Sequence, residues 1–202
     1  MKLLAHTSYR SGRLQLNGAQ VASADGPFDL SFPPLMEAVE LDPMRAARAD
    51  RPAQLALLTI APFFLKGIIQ PEMDKGRIGI IHMSRHGCLD PDMRYHGPLR
   101  EDGHAGPALF VRTLPNIPMG EITIQFGLHG SGQCLLAERP DVLRLYQNAE
   151  ILMDHHGMAH VICGWSDIFA EEASATFLLL SNEGTEGIDA LVERSSHFFN
   201  EH

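Results

Sequence analysis

Cysteine is scarce. Cys88, Cys134 and Cys163 are an odd number at wide spacing, which excludes a disulfide framework and a zinc site built on CxxC pairs. Long apolar runs are missing too. The longest, Ala53 to Leu65, is broken by Pro62, lies between Arg51 and Lys66, and is too short to span a bilayer. The start, Met1-Lys2-Leu3-Leu4-Ala5-His6, turns polar at once and lacks the apolar core of a signal peptide, so a cytoplasmic location is expected. Basic residues are few: 16 Lys and Arg stand against 25 Asp and Glu, a formal net charge of -9. Such a chain carries no electrostatic footprint for a phosphate backbone, and no nucleic-acid partner is expected. No repeat, low-complexity tract or linker is visible. The glycine-rich Gly127-Leu128-His129-Gly130-Ser131-Gly132 matches neither GxGxxG nor GxxxxGK[ST]. It reads as a tight turn, and no cofactor is expected.

What is present is globular. Of 202 residues, 45% are hydrophobic and 20% charged, enough for one domain with a sizeable core. The first thirty residues read as irregular, with short edge strands such as Leu14-Gln15-Leu16, and Pro33-Pro34 excludes a helix before Leu35. Asp50 and Pro52 open a helix that is apolar on nearly every side and that Pro62 should kink or end. Arg77 to His82 reads as a buried strand. Ser84 to Asn116, punctuated by Pro91, Gly97, Pro98, Gly103, Gly106, Pro107 and Pro115, reads as mostly loop with one short helical piece. Glu121 to Phe126 fits either a strand or a helix, and Gln133 to Leu136 a short strand. Val142, Leu145, Tyr146, Ala149, Leu152 and Met153 form the clearest helical stripe, between Pro140-Asp141 and Gly157. His160–Gly164 and Ala173–Leu180 read as strands, and a tail helix covers about 185–199. The alternation implies an α/β fold with a mixed, mostly parallel sheet and helices on both faces.

Eleven histidines invite a metal reading. His82 and His86 are four apart, with Cys88 close by, and on a helix both imidazoles would share a face. But His82 ends a predicted strand, Gly87 interrupts the segment, and no glutamate adjoins His82. A polar loop of hydrogen-bonded histidines is the plainer reading, and no metal is expected. His155-His156 suit a helix C-terminus. Trp165 reads as a packing residue at a strand end. Cys134 and Cys163 fall in predicted strands as inert core residues.

Four pieces carry a family resemblance. They are Arg51-Pro52-Ala53-Gln54-Leu55-Ala56-Leu57; Phe110-Val111-Arg112-Thr113-Leu114-Pro115-Asn116-Ile117-Pro118-Met119-Gly120; Phe126-Gly127-Leu128-His129-Gly130-Ser131; and Cys163-Gly164-Trp165-Ser166-Asp167 with Glu172-Ala173-Ser174-Ala175 and Phe177-Leu178-Leu179-Leu180. In order and spacing they resemble the N-terminal half of a β-ketoacyl synthase, in the thiolase superfamily. The resemblance spans about Asp50 to Leu180. It implies a thiolase-like half-domain over 1–202 with a nucleophilic cysteine at the start of the amphipathic helix. That position falls on Glu138, Arg139 and Pro140, none of which can form a thioester. Cys134 lies five residues too early. The family's other catalytic residues, two histidines or a histidine and an asparagine, belong to a C-terminal half that these residues do not match.

The resemblance therefore implies a non-catalytic subunit like the chain-length factors of fatty-acid or polyketide synthesis. Its partners would be a ketosynthase in a heterodimer, or a second copy in a homodimer, and an acyl carrier protein. The implied interface is the strand Gln133-Cys134-Leu135-Leu136. Two alternatives stand beside it: a homodimeric acyl-binding scaffold, and an enzyme of another class using Cys88 with His82 and His86.

Overall fold

The computed structural model describes residues 1–102 and 107–199, so Gly103 and Gly106 lie outside the described residues. Among the described residues, seven strands form one sheet: β1 Lys2–Arg10, β2 Arg13–Leu16, β3 Ala19–Ser23, β4 Ile78–Ser84, β5 Gly132–Leu136, β6 His160–Phe169 and β7 Glu172–Ser181, in the order β3-β2-β1-β7-β6-β4-β5. The expected mostly parallel sheet is corrected. Pairs β4·β5 and β4·β6 are parallel, and the other four are antiparallel. Two features account for this. Only two residues separate β6 from β7, too few for a parallel crossover. And the N-terminus is an antiparallel meander rather than irregular chain. Ala5, Thr7 and Tyr9 alternate inward along β1, but small and polar residue types hide that alternation.

Helices cover both faces. On one face lies α3 (Arg51–Leu65), opened by Asp50, whose carboxylate accepts from Ala53 N at 2.9 Å. Its residues Leu55 through Phe63 are all buried, between the sheet and the flanking helices α1 (Phe28–Ala38) and α6 (Ile117–Phe126). Pro62 does not end α3, which continues to Leu65 before Lys66 caps it. On the other face lie α7 (Val142–His156) and α8 (Ile188–Ser195), whose Leu145, Tyr146, Ala149, Leu152 and Leu191 pack on Ile81, Val161, Cys163 and Leu178. A single 3-10 turn, Ser196–Phe199, follows α8.

Two helices appear where the sequence reading excluded or shortened them. Helix α1 contains both Pro33 and Pro34. The carbonyls they leave unpaired belong to Asp29 and Leu30, which are exposed, so water replaces the lost bonds while Phe28, Phe32 and Leu35 anchor the buried face. Helix α4 (Leu89–Asp102) replaces 14 residues of the expected loop. Pro91 sits in its first turn, where no N–H is needed, and Asp90 and Asp92 suit the positive end of the helix. The ambiguous Glu121–Phe126 belongs to α6, which ends at Gly127 with φ of 65°. The short helices α2 (Pro43–Ala46) and α5 (Pro107–Phe110) complete the chain. Among the described residues, no helix is long and apolar enough to cross a membrane.

Candidate functional site

The helix that the resemblance assigns to the nucleophile is α7, and the geometry at its start is open. Glu138 and Arg139 are exposed and Pro140 is half-buried. They border a cleft of about 760 Å³ that Asp141, Val192 and Phe199 also line. The Asp141 carboxylate accepts from Arg144 N at 2.9 Å and caps the helix. An anionic side chain thus already occupies the positive end of α7, where a nucleophilic thiolate would need that field for itself.

The three thiols lie elsewhere. Cys163 is fully buried in β6, and burial pushes its thiol up, away from ionisation. Cys134 is half-buried on β5, at the rim rather than in the core. Its Sγ donates to Pro115 O at 3.1 Å, and burial raises its pKa. Cys88 precedes α4. Its Sγ donates to Asp92 Oδ2 at 3.3 Å, and burial, then that bond and the charge behind it, push the thiol up to about 11. A thiol so protonated is a poor nucleophile at neutral pH.

The two histidines are separated by the strand end. His82 is interior on β4, 1% exposed, with Nε2 bonded to Ser166 Oγ at 2.7 Å and its ring parallel to that of Phe177. Burial pushes its pKa down to about 4, so the ring is neutral. His86 follows β4 and reaches solvent. Its Nδ1 lies 2.6 Å from Asp167 Oδ2, and its ring stacks on Phe169 at 4.6 Å. Asp167 is the hub that the sequence reading did not single out as a site residue. Its Oδ1 accepts from Ser84 Oγ (2.8 Å), Arg85 N (3.0 Å) and His86 N (2.8 Å). The carboxylate holds the β4–α4 loop by four donors and leaves the imidazole's Nε2 pointing away. Among the described residues, no three His, Cys, Asp or Glu side chains gather as a metal site.

Strand β5 closes the sheet on one side. Ser131 O and Ala137 N bond to β4, so by strand alternation the backbone groups of Gly132, Cys134 and Leu136 face the open edge. Gln133 Oε1 is buried and has no hydrogen-bond partner among the described residues. The opposite edge, β3, is short and irregular, with a register shift between Leu14 and Gln15 where it pairs with β2.

No family model matches the chain, and no curated protein matches it. Solved structures do. The chain is similar to one in the complex of the ketosynthase ApeO with its chain length factor ApeC from Xenorhabdus doucetiae (TM-score 0.58, 16% identity, 90% of this chain and 79% of that one). It is also similar to one in the ishigamide ketosynthase/chain length factor (TM-score 0.65, 13% identity, 91% and 63%). A third is in the type II polyketide synthase complex AntDE:AntF, an acyl-carrier protein with its ketosynthase bound to the hexaketide (TM-score 0.61, 10% identity, 95% and 63%). The fold is thiolase-like, of the ketosynthase and chain length factor type. The chain spans about 63% of the length of two of these neighbours.

Within this ketosynthase-type fold, the β6–β7 hairpin explains one motif residue. A Cβ on Gly164 would collide with Thr176 O across the hairpin, so only glycine fits. Trp165 is therefore not at a strand end but buried in the middle of β6, where the strand continues to Phe169.

Proposed function

We propose that this chain is a non-catalytic, ketosynthase-like subunit of polyketide or fatty-acid synthesis, working in the cytoplasm, with residues 1–202 as one domain of the ketosynthase N-terminal type. It pairs with an active ketosynthase through the open edge of β5 and meets the acyl carrier protein that serves that partner. The observation carrying this reading is the start of α7. Where the fold would place a thiolate, Glu138, Arg139 and Pro140 stand at the surface and Asp141 caps the helix. The three thiols are all held toward their protonated forms. The neighbours' own assemblies support the pairing: two are described as a ketosynthase with a chain length factor.

Intact-mass spectrometry tests the missing chemistry. The chain is incubated with an acyl thioester carried on an acyl carrier protein, with a catalytically competent ketosynthase in a parallel sample. The expected result is an acyl adduct on the ketosynthase and an unshifted mass for this chain. An acyl adduct on Cys88, Cys134 or Cys163 at a comparable rate would contradict the reading.

A second reading rests on one observation, the partly exposed imidazole of His86 fixed through Nδ1 by Asp167. That arrangement suits a general base. It predicts a hydrolytic activity on activated esters that His86→Ala abolishes and Cys88→Ala leaves intact.

A further inference from the structure

The edge of β5 is only five residues long, about 17 Å of strand. Alone it provides a fraction of the roughly 800 Å² per partner that a stable association buries. More surface must join it, and one region supplies apolar area next to it. Phe110 and Val111 are each 59% exposed, Leu114 is 50% exposed and Leu136 is 55% exposed. Three of these four lie within five residues, at the end of α5 and the start of the following loop. The Tyr95 ring of α4 lies 5.8 Å from that of Phe110, which braces the turn against the longer helix.

The chain carries this apolar segment to the sheet edge at Pro115. Pro115, next to Leu114, accepts the Cys134 thiol from β5. Gly87, at φ of 55°, brings the β4–α4 loop against both: a Cβ built there would lie 3.1 Å from Leu136 Cδ2 and 3.3 Å from Pro115 Cβ. The opposite edge has no comparable feature, since no large apolar side chain of β3 is exposed. A monomer seldom exposes a contiguous group of this kind beside an unpaired strand.

We infer that Phe110, Val111, Leu114 and Leu136 form the second part of the interface and that the ketosynthase partner buries them together with the β5 edge. This rests on the proposed pairing and adds to it the α5 surface. The backbone edge sets the register, and the apolar patch supplies most of the area removed from water.

The test measures affinity by sedimentation velocity, using purified chain and each full-length ketosynthase of the source organism. Val111→Glu/Leu114→Glu is expected to weaken the complex at least tenfold. Its melting temperature should match wild type, because both positions are exposed. Leu30→Glu is the control. It is at least as exposed but lies on α1, which packs at the β3 side of the sheet. It should leave the affinity unchanged. Cys134→Pro removes an edge-facing N–H and should abolish the complex. If Cys134→Pro abolishes binding while the double variant binds within twofold of wild type, the patch inference is overturned and the pairing stands. If wild type binds none of the ketosynthases, the pairing itself is overturned. If it forms only a homodimer that the double variant disrupts, the assigned occupant is wrong.

Discussion

Asp167→Ala is expected to destabilise the fold by about 2–4 kcal/mol, read as a lower urea midpoint at unchanged slope. The carboxylate is mostly buried and receives four donors from Ser84, Arg85 and His86. Removing it leaves those donors with no acceptor in the protein. Arg85 N is in an exposed stretch and can turn to water, which keeps the loss below the sum of four bonds. Asp167→Asn is expected to cost about 1 kcal/mol, since Oδ1 still accepts the three loop donors and only the contact with His86 changes. Equal losses in the two variants would contradict the account of Asp167 as an anchor for the loop. The same loop reaches Leu136 through Gly87, so Asp167→Ala should also weaken partner binding.

Acid should destabilise the protein through His82. Its folded pKa is about 4, against an ordinary 6.5, because burial disfavours the charged ring. Between those values the unfolded chain binds the proton and the folded chain does not, so stability falls as the pH falls through that window. At about 1.4 kcal/mol per pH unit, the whole window is worth roughly 3 kcal/mol, complete once the pH is below 4. His82→Gln keeps a hydrogen-bonding side chain beside Ser166 and removes the titration. Denaturation at pH 7.5 and pH 4.5 should show wild type losing about 2–3 kcal/mol more than the variant. Equal losses would mean that His82 is solvated or already charged in the folded state.

Much of the architecture was legible where periodicity is strong. The α7 stripe and the all-apolar α3 declared themselves, as did the β-branched β4. The failures share a cause: tertiary packing overrode local signals. Thr7 and Ala5 are poor markers of an inward strand face, yet both are buried in β1. Pro33 and Pro34 lose bonds only on the wet side of α1. Polar α4 is held partly by Arg51, whose guanidinium bonds Asp90, Asp29 and the carbonyl of Ala170. None of those partners is close to Arg51 in sequence. Asp167 was hidden for the same reason, being 81 residues from His86. Only the parallel register of β4 on β6 brings them together. The histidine spacing of four makes no helical face: as the strand reading of Arg77 to His82 implies, a strand end separates His82 from His86.

The most direct measurement is native mass spectrometry of this chain mixed with a full-length ketosynthase, run beside Cys134→Pro. That variant keeps the backbone bonds of β5 to β4 and loses one donor on the open edge together with the Cys134 thiol's bond to Pro115 O. The account predicts a one-to-one heterodimer for wild type and separate chains for the variant. A heterodimer that survives Cys134→Pro, or a wild-type chain that pairs only with itself, would contradict it.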